Sequence, residues 1–180
     1  MELYDILDRN GIPTGKRAQK GTMPKTGTFY LGVHAYIYNS KKEFLLQQRA
    51  FDKAFRPGGW DIHMGHVIAG ETSKEGMIRE ISEEIGIYFN DEDMRFVGRV
   101  VWENSKASAL GGDHLCLSHN HITDIYFLEY DYTINNLSLQ ENEVIGAKSV
   151  TKDEMLALVE RMNYRPAEYR DIVKNEINKL

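Results

Sequence analysis

The 180-residue chain has a single cysteine, Cys116, so no internal disulfide can staple it. A reducing compartment such as the cytoplasm suits that usage. No apolar stretch approaches the ~20 residues of a membrane-spanning helix. The opening MELYDILDRNG carries acidic residues where a secretory leader needs a basic start and an apolar run. These absences predict a soluble, cytoplasmic protein with no membrane partner. Cations are in deficit too: 22 Lys and Arg face 27 Asp and Glu, for a net charge of −5. A general binder of nucleic-acid polymers needs excess cations to displace phosphate counterions, so that class is set aside. A small anionic substrate is not, because a divalent metal supplies positive charge locally. Internal repeats and low-complexity blocks are absent as well. What is present, a hydrophobic fraction of 42%, is ample for a packed core in one domain with at most a small extension.

The pattern along the chain mixes strands and helices throughout. LYDILDRNGIPTGKR has an Asn10-Gly11 pair between partly apolar flanks, the mark of a hairpin. KGTMPKTG, Lys20 to Gly27, reads as a connector. From Phe29 to Tyr38, Leu31, Val33, Ala35 and Ile37 alternate with Tyr30, Gly32, His34 and Tyr36, which predicts a strand with one buried face. FLLQQR, Phe44 to Arg49, is a second strand, and AFDKAFRPGGWDIHM is a loop leading into a short one. Thr72 to Ile85 reads as a helix: Thr72 and Glu75 have capping-box spacing, and Gly86 stands where a left-handed cap belongs. Met94 to Trp102 and Ile122 to Tyr132 are further strands. Thr151 and Glu154 open another helix, and Pro166 suits the first turn of a last one bearing Tyr169, Ile172, Val173 and Ile177 on one face. The expected class is an α+β or layered α/β/α domain.

The helix after Thr72 is unusually acidic. A helix advances about 100° per residue, so Glu83 and Glu84 lie about 60° and 40° to either side of Glu80. Three carboxylates thus share one face, while Ile78, Ile81 and Ile85 form an apolar one. Like charges at these spacings destabilise a helix, and anions in its second half oppose the dipole. A hard cation such as Mg2+ relieves both penalties. The competing structural reading is a solvated acidic face paired to Arg79 and Lys74. Gly76, unfavourable by roughly 1 kcal/mol in a helix interior, points to close approach by another group.

The whole segment reads Gly65, five residues, Glu71, seven residues, then Arg79-Glu80-Ile81-Ser82-Glu83-Glu84-Ile85-Gly86-Ile87. It resembles, at every fixed position, the signature of the Nudix (MutT-like) hydrolases. QQRAFDKAFRPGGWD and the amino-terminal hairpin are similar to the isopentenyl-diphosphate-isomerase-like branch of that family. The resemblance implies a Nudix-type α/β/α sandwich around a mixed β-sheet over residues 28–180, with residues 1–27 as hairpin and connector. It implies hydrolysis of a diphosphate in a nucleoside diphosphate linked to another moiety, or in a similar small organic diphosphate, with Mg2+ or Mn2+. Glu80, Glu83 and Glu84, with the Met64 carbonyl, become the expected metal ligands. Glu80, Glu83 and Arg79 become the expected catalytic set, Arg79 orienting Glu80. Glu71, Gly65 and Gly86 are the expected supports of the site.

The same resemblance makes Arg49 and Lys53 the expected diphosphate contacts. Tyr30, Tyr36, Phe51 and Trp60 are aromatic candidates for the attached group, Trp60 fitting core packing better. Asp113, His114, His119, His121 and Asp124 cluster downstream; surface histidines fit better than a zinc site, because the loop offers one sulfur and no matched ligand pair. His121 or Asp124 facing the metal is a weaker option. Glu80 is the expected general base, with a downstream residue such as Glu141 or Glu143 as competitor. Two alternatives stay open: an isopentenyl-diphosphate isomerase, which needs a cysteine just upstream of the helix where this chain has DIHMGH, and a non-catalytic nucleotide-sensing module. Many relatives dimerise, so a homodimer is an expected assembly.

Overall fold

A computed structural model describes residues 2–22, 24–53, 55–103 and 120–180. Strands β1 (Leu3–Leu7) and β2 (Pro13–Gln19) form the amino-terminal hairpin. Asp8 closes its loop by accepting from the backbone N–H groups of Asn10 and Ile12, and Gly11 takes the left-handed φ of 80° the turn requires. Leu7 pairs with Phe29 and packs on it and on Ile122, which anchors the hairpin to the body.

The main sheet is built on β3 (Tyr30–Tyr38). One edge of β3 runs parallel to β8 (His121–Glu129), which pairs in turn with β7 (Met94–Trp102). The other edge pairs antiparallel with β6 (His63–His66) and, at Tyr38, with β4 (Phe44–Arg49). β4 also carries β5 (Trp60–Asp61) and β9 (Val144–Val150). Helix α1 (Ser73–Ile85) covers one side, with Met77, Ile81 and Ile85 packed on Val33, Ala35, Ile37 and Leu45. Helices α2 (Lys152–Arg161) and α3 (Ala167–Asn178) cover the other, with Met155, Val159, Tyr169, Val173 and Ile177 packed on Tyr36, Phe44 and Phe127.

This layering corrects the expectation for β3. The strand is buried on both faces, because Tyr36 and Tyr38 meet α2 and α3 while the alternate residues meet α1. A tyrosine ring buries as well as an aliphatic side chain once its hydroxyl is paired, and the Tyr36 hydroxyl bonds that of Tyr169 at 2.9 Å. β8 stops at Glu129 rather than Tyr132, since its partner β3 ends at Tyr38 and leaves nothing to pair with. β9 was not expected; only Val144 and Val150 are buried in it, too sparse a pattern to read as a strand. Both capping boxes are present, Thr72 with Glu75 and Thr151 with Glu154, and Gly86 closes α1 at φ 70° by donating to the Ser82 carbonyl. Pro166 stands just before α3 as its cap rather than inside the first turn.

His63 is fully buried on β6, and burial lowers its pKa from the ordinary 6.5 to about 4. Between those values the unfolded chain takes up a proton that the folded one refuses, so stability falls as pH drops through that window and is retained above it. At pH 5 the loss should be about 2 kcal/mol. Urea unfolding at pH 7 and pH 5 should show a smaller difference for His63→Gln than for the unmodified chain; equal differences would mean that the ring is not held neutral.

Candidate active site

A cleft of about 390 Å3 gathers most of the expected site residues. That volume lies within the range of small-molecule pockets, roughly 300–1,000 Å3. Helix α1 presents Arg79, Glu80, Glu83 and Glu84 to it. β6 contributes Met64, Gly65 and His66, β3 contributes Gly32 and His34, and the β4–β5 loop contributes Lys53 and Phe55 beside Arg49. The hairpin supplies Glu2, Tyr4 and Lys20. Gln140, Glu143, Tyr164 and Arg165 complete the wall with Trp102, His121 and Thr123.

Arg79 organises the acidic end. Its Nε and Nη2 donate to the two oxygens of Glu71 at 2.8 and 3.2 Å, and Nη2 also donates to the His66 carbonyl at 2.9 Å. Its Nη1 donates to Glu80 at 3.0 Å and to Glu83 at 3.2 Å. Partial burial works against the guanidinium charge, but the Glu71 hydrogen bonds and the Glu80 charge outweigh it and hold the pKa above the usual arginine range. The expected pairing of Arg79 with Glu80 and Glu71 is therefore present in the geometry. Lys74 does not join the acidic face; its nearest carboxylate is Asp91, at 3.8 Å.

The three helix glutamates have unequal surroundings. The Glu83 side chain is half exposed, whereas Glu80 is mostly covered and Glu84 is buried. Burial raises the pKa of Glu80, against the pull of Arg79. Burial likewise pushes Glu84 up to about 7; the Gln47 amide, donating at 2.9 Å, opposes the rise, while Glu80 and Glu143 add to it. Among the described residues no three His, Cys, Asp or Glu side chains converge into a ready metal cage. The donor set nevertheless suits a hard divalent ion: it is all carboxylate, and burial leaves two of its members short of compensating charge.

Two glycines shape this end. A Cβ on Gly65 would overlap the Glu80 carboxyl group, so the missing side chain is what lets that carboxylate lie against β6. A Cβ on Gly76 would meet Val67 at 3.1 Å and Glu71 at 3.3 Å. The group approaching Gly76 is thus the loop from β6 to α1.

Arg49 and Lys53 both line the cleft. Arg49 donates to the Phe55 carbonyl at 2.8 Å, and Lys53 pairs with Glu143 at 2.6 Å, which brings Glu143 into the site; Glu141 is not on the cleft. Asp113, His114, Cys116 and His119 lie outside the described residues. His121 reaches the cleft and packs edge-on to His66, which is stacked on Tyr4. Asp124 does not: alternation along β8 turns it away, and Arg99 holds its carboxylate through two hydrogen bonds of 2.6 and 2.8 Å. None of the four nominated aromatics lines the cleft. Tyr30 and Tyr36 are buried, Phe51 is 74% exposed, and Trp60 packs against the core beneath Lys148. Tyr4, Phe55, Trp102 and Tyr164 stand there instead, drawn from distant segments with no shared sequence pattern.

An α/β/α layering thus sets an arginine-clamped glutamate face on a cleft of small-molecule size, an arrangement suited to a hydrolase. The NUDIX domain family model matches residues 28–171, and the chain belongs to the Nudix family. It is therefore a pyrophosphohydrolase, and Nudix hydrolases generally use divalent metal ions. An uncharacterised Nudix hydrolase of Listeria monocytogenes is 32% identical over 162 residues, covering 88% of this chain and 85% of that protein. An isopentenyl-diphosphate Delta-isomerase of Corynebacterium diphtheriae is 30% identical over 88 residues, covering 48% of each chain. A solved structure from Deinococcus radiodurans shares the fold at a TM-score of 0.68 and 19% identity, covering 97% of this chain and 98% of that one.

Gly65→Ala should displace the Glu80 carboxylate, a flexible side-chain end, rather than the backbone. Diphosphate hydrolysis should fall by about 100-fold, the order seen when one preorganised catalytic group is lost, with little change in melting temperature. Steady-state kinetics with parallel thermal unfolding checks this; unchanged turnover would separate Gly65 from the placement of Glu80.

Proposed function

We propose that the chain hydrolyses the diphosphate linkage of a nucleoside diphosphate joined to another moiety, or of a similar small organic diphosphate, with Mg2+ or Mn2+ bound by Glu80, Glu83, Glu84 and the Met64 carbonyl. The observation that carries the reading is the cluster of three α1 carboxylates, two of them bound by Arg79, that line the cleft. A bound cation would neutralise phosphate oxygens and acidify the attacking water. Glu80, held in line by Arg79, would accept a proton from the attacking water. Glu71 fixes Arg79 from the other side, and Gly65 and Gly86 keep room and register for the helix. Arg49 and Lys53 bind the diphosphate oxygens, Lys53 exchanging its Glu143 partner for the substrate.

Residues 28–180 form the catalytic domain in this reading, and residues 1–27 are an extension that closes one rim of the cleft through Glu2, Tyr4 and Lys20. The substrate is a small molecule rather than a polymer, consistent with the net charge of −5. A reducing cytoplasm agrees with the single cysteine. Among the described residues no helix is long and apolar enough to cross a membrane.

Glu83→Gln should abolish Mg2+-dependent release of a phosphorylated product from a panel of diphosphates while leaving the melting temperature of the metal-free protein nearly unchanged. Full activity in that variant would remove the metal-site assignment. The partial match to an isomerase supplies the counter-test: solvent-proton exchange into isopentenyl diphosphate, without hydrolysis of any diphosphate, would replace this reading. The upstream segment His63-Met64-Gly65-His66 holds no cysteine for such proton transfer.

A further inference from the structure

We infer that Arg165 forms a second anion subsite in the cleft, and that the preferred substrate carries an additional oxyanion, a phosphomonoester or a carboxylate, on the group attached to its diphosphate. This deepens the diphosphate-hydrolase reading and rests on it. Arg165 follows α2, lines the cleft, and is only 4% exposed. A buried guanidinium is stable when carboxylate or phosphate oxygens meet its five N–H donors. Here, among the described residues, no such oxygen lies within hydrogen-bond distance, and its Nε has no hydrogen-bond partner. Its Nη1 faces the His34 ring at 3.1 Å, and its Nη2 reaches the Met64 sulfur at 3.9 Å and Asp61 at 3.8 Å, beyond hydrogen-bond distance of that carboxylate. The carboxylate it approaches, Asp61, is 3.8 Å away and is already bound by Arg56 at 2.7 Å and by the Ile62 N–H at 2.9 Å.

The surroundings hold Arg165 in place without satisfying it. Its guanidinium carbon lies over the rings of Tyr169, Tyr164 and Trp102 at 4.8, 5.4 and 5.6 Å. His34 is fixed by the Tyr169 hydroxyl at 2.9 Å, which is fixed in turn by Tyr36 at 2.9 Å. His34 stays neutral, since burial first and then the Arg165 charge hold its pKa well below the ordinary value, so it adds no competing cation. Trp102 and Tyr164 are aromatic walls of the cleft, whereas the carboxylates come from α1. Arg165 therefore belongs to the side that receives the attached group. A planar oxyanion or a phosphate matches its fork in two parallel hydrogen bonds, which a hydroxyl cannot.

The test uses the full chain with Mg2+ and two matched pairs: NAD+ with NADP+, which adds a phosphomonoester, and UDP-glucose with UDP-glucuronate, which adds a carboxylate. Each compound is scored by kcat/KM if turned over, or otherwise as a competitive inhibitor of the diphosphate that is turned over best. The charged member of at least one pair should be favoured by about tenfold or more, the effect of one charge-assisted hydrogen bond, chiefly through KM or Ki. The pair that discriminates identifies the oxyanion. Arg165→Gln should bring the ratio near one, and Arg165→Lys should restore part of it. In EDTA, inorganic phosphate should raise the melting temperature of the unmodified protein more than that of Arg165→Gln. If Arg165→Gln does not fold, the pair ratios of the unmodified protein decide alone. Ratios near one in both pairs, or a preference that survives Arg165→Gln, would overturn the subsite. Absence of hydrolysis of every diphosphate would instead overturn the function on which it rests.

Discussion

The site depends on one guanidinium. Arg79 ties His66, at the end of β6, and Glu71, in the loop that follows, to the helix bearing Glu80 and Glu83. Without that clamp the carboxylates of α1 would repel one another in the half of the helix where the dipole already disfavours them. Those penalties come to roughly 1–2 kcal/mol, at about 0.2–0.5 per like-charge pair and 0.3–1 for the dipole. Fully burying Met77, Ile81 and Ile85 returns roughly 1.5–3 kcal/mol each. Core packing therefore decides whether α1 forms, and Arg79 decides where its charges point.

The layering then fixes where those charges can act. β3 is buried on both faces because helices cover both, so a small-molecule site must open at the end of the sheet. β6, paired beside β3, sets Gly65 against Glu80, and the close approach is tolerable only without a Cβ. The hairpin, anchored by Leu7 on Phe29, brings Tyr4 onto His66 and makes the amino terminus part of the cleft wall. The carboxylate end of the cleft is thus a property of one helix, while its other walls are drawn from the hairpin, from β3, β6, β7 and β8, and from the segments after β4, before β9 and after α2.

That division explains why the acidic face and the rest of the cleft differ in character. The α1 carboxylates are short-range neighbours whose mutual position any helix would impose. Trp102, Tyr164, Arg165 and His34 meet only because β3, β7 and the turn after α2 are stacked around one core. In the proposed function the first set handles what all diphosphates share, and the second meets the part that distinguishes one substrate from another.

Much of the fold was legible from local pattern. Both capping boxes, the Gly86 cap, the hairpin at Asn10-Gly11 and the bounds of β4 and β7 followed from spacing and turn chemistry. β9 was not legible, because a strand held mainly by its partner and burying only two valines leaves little periodic signal. Gly76 was legible as a close approach but not as an approach by Val67 and Glu71, which lie outside its own helix. Tyr30, Tyr36 and Phe51 failed as cleft aromatics for the same reason, while Trp60 packs on the core as expected: composition shows that rings exist, whereas the tertiary packing decides which of them face a cleft. The sequence by itself determined the acidic face, its arginine partner and the family, since these sit within one continuous segment whose geometry is helical. Only tertiary structure decided that Glu84 is buried, that Glu143 joins the site and that Arg165 is buried with its carboxylate partner Asp61 no nearer than 3.8 Å, because burial and pairing between distant residues are set by packing.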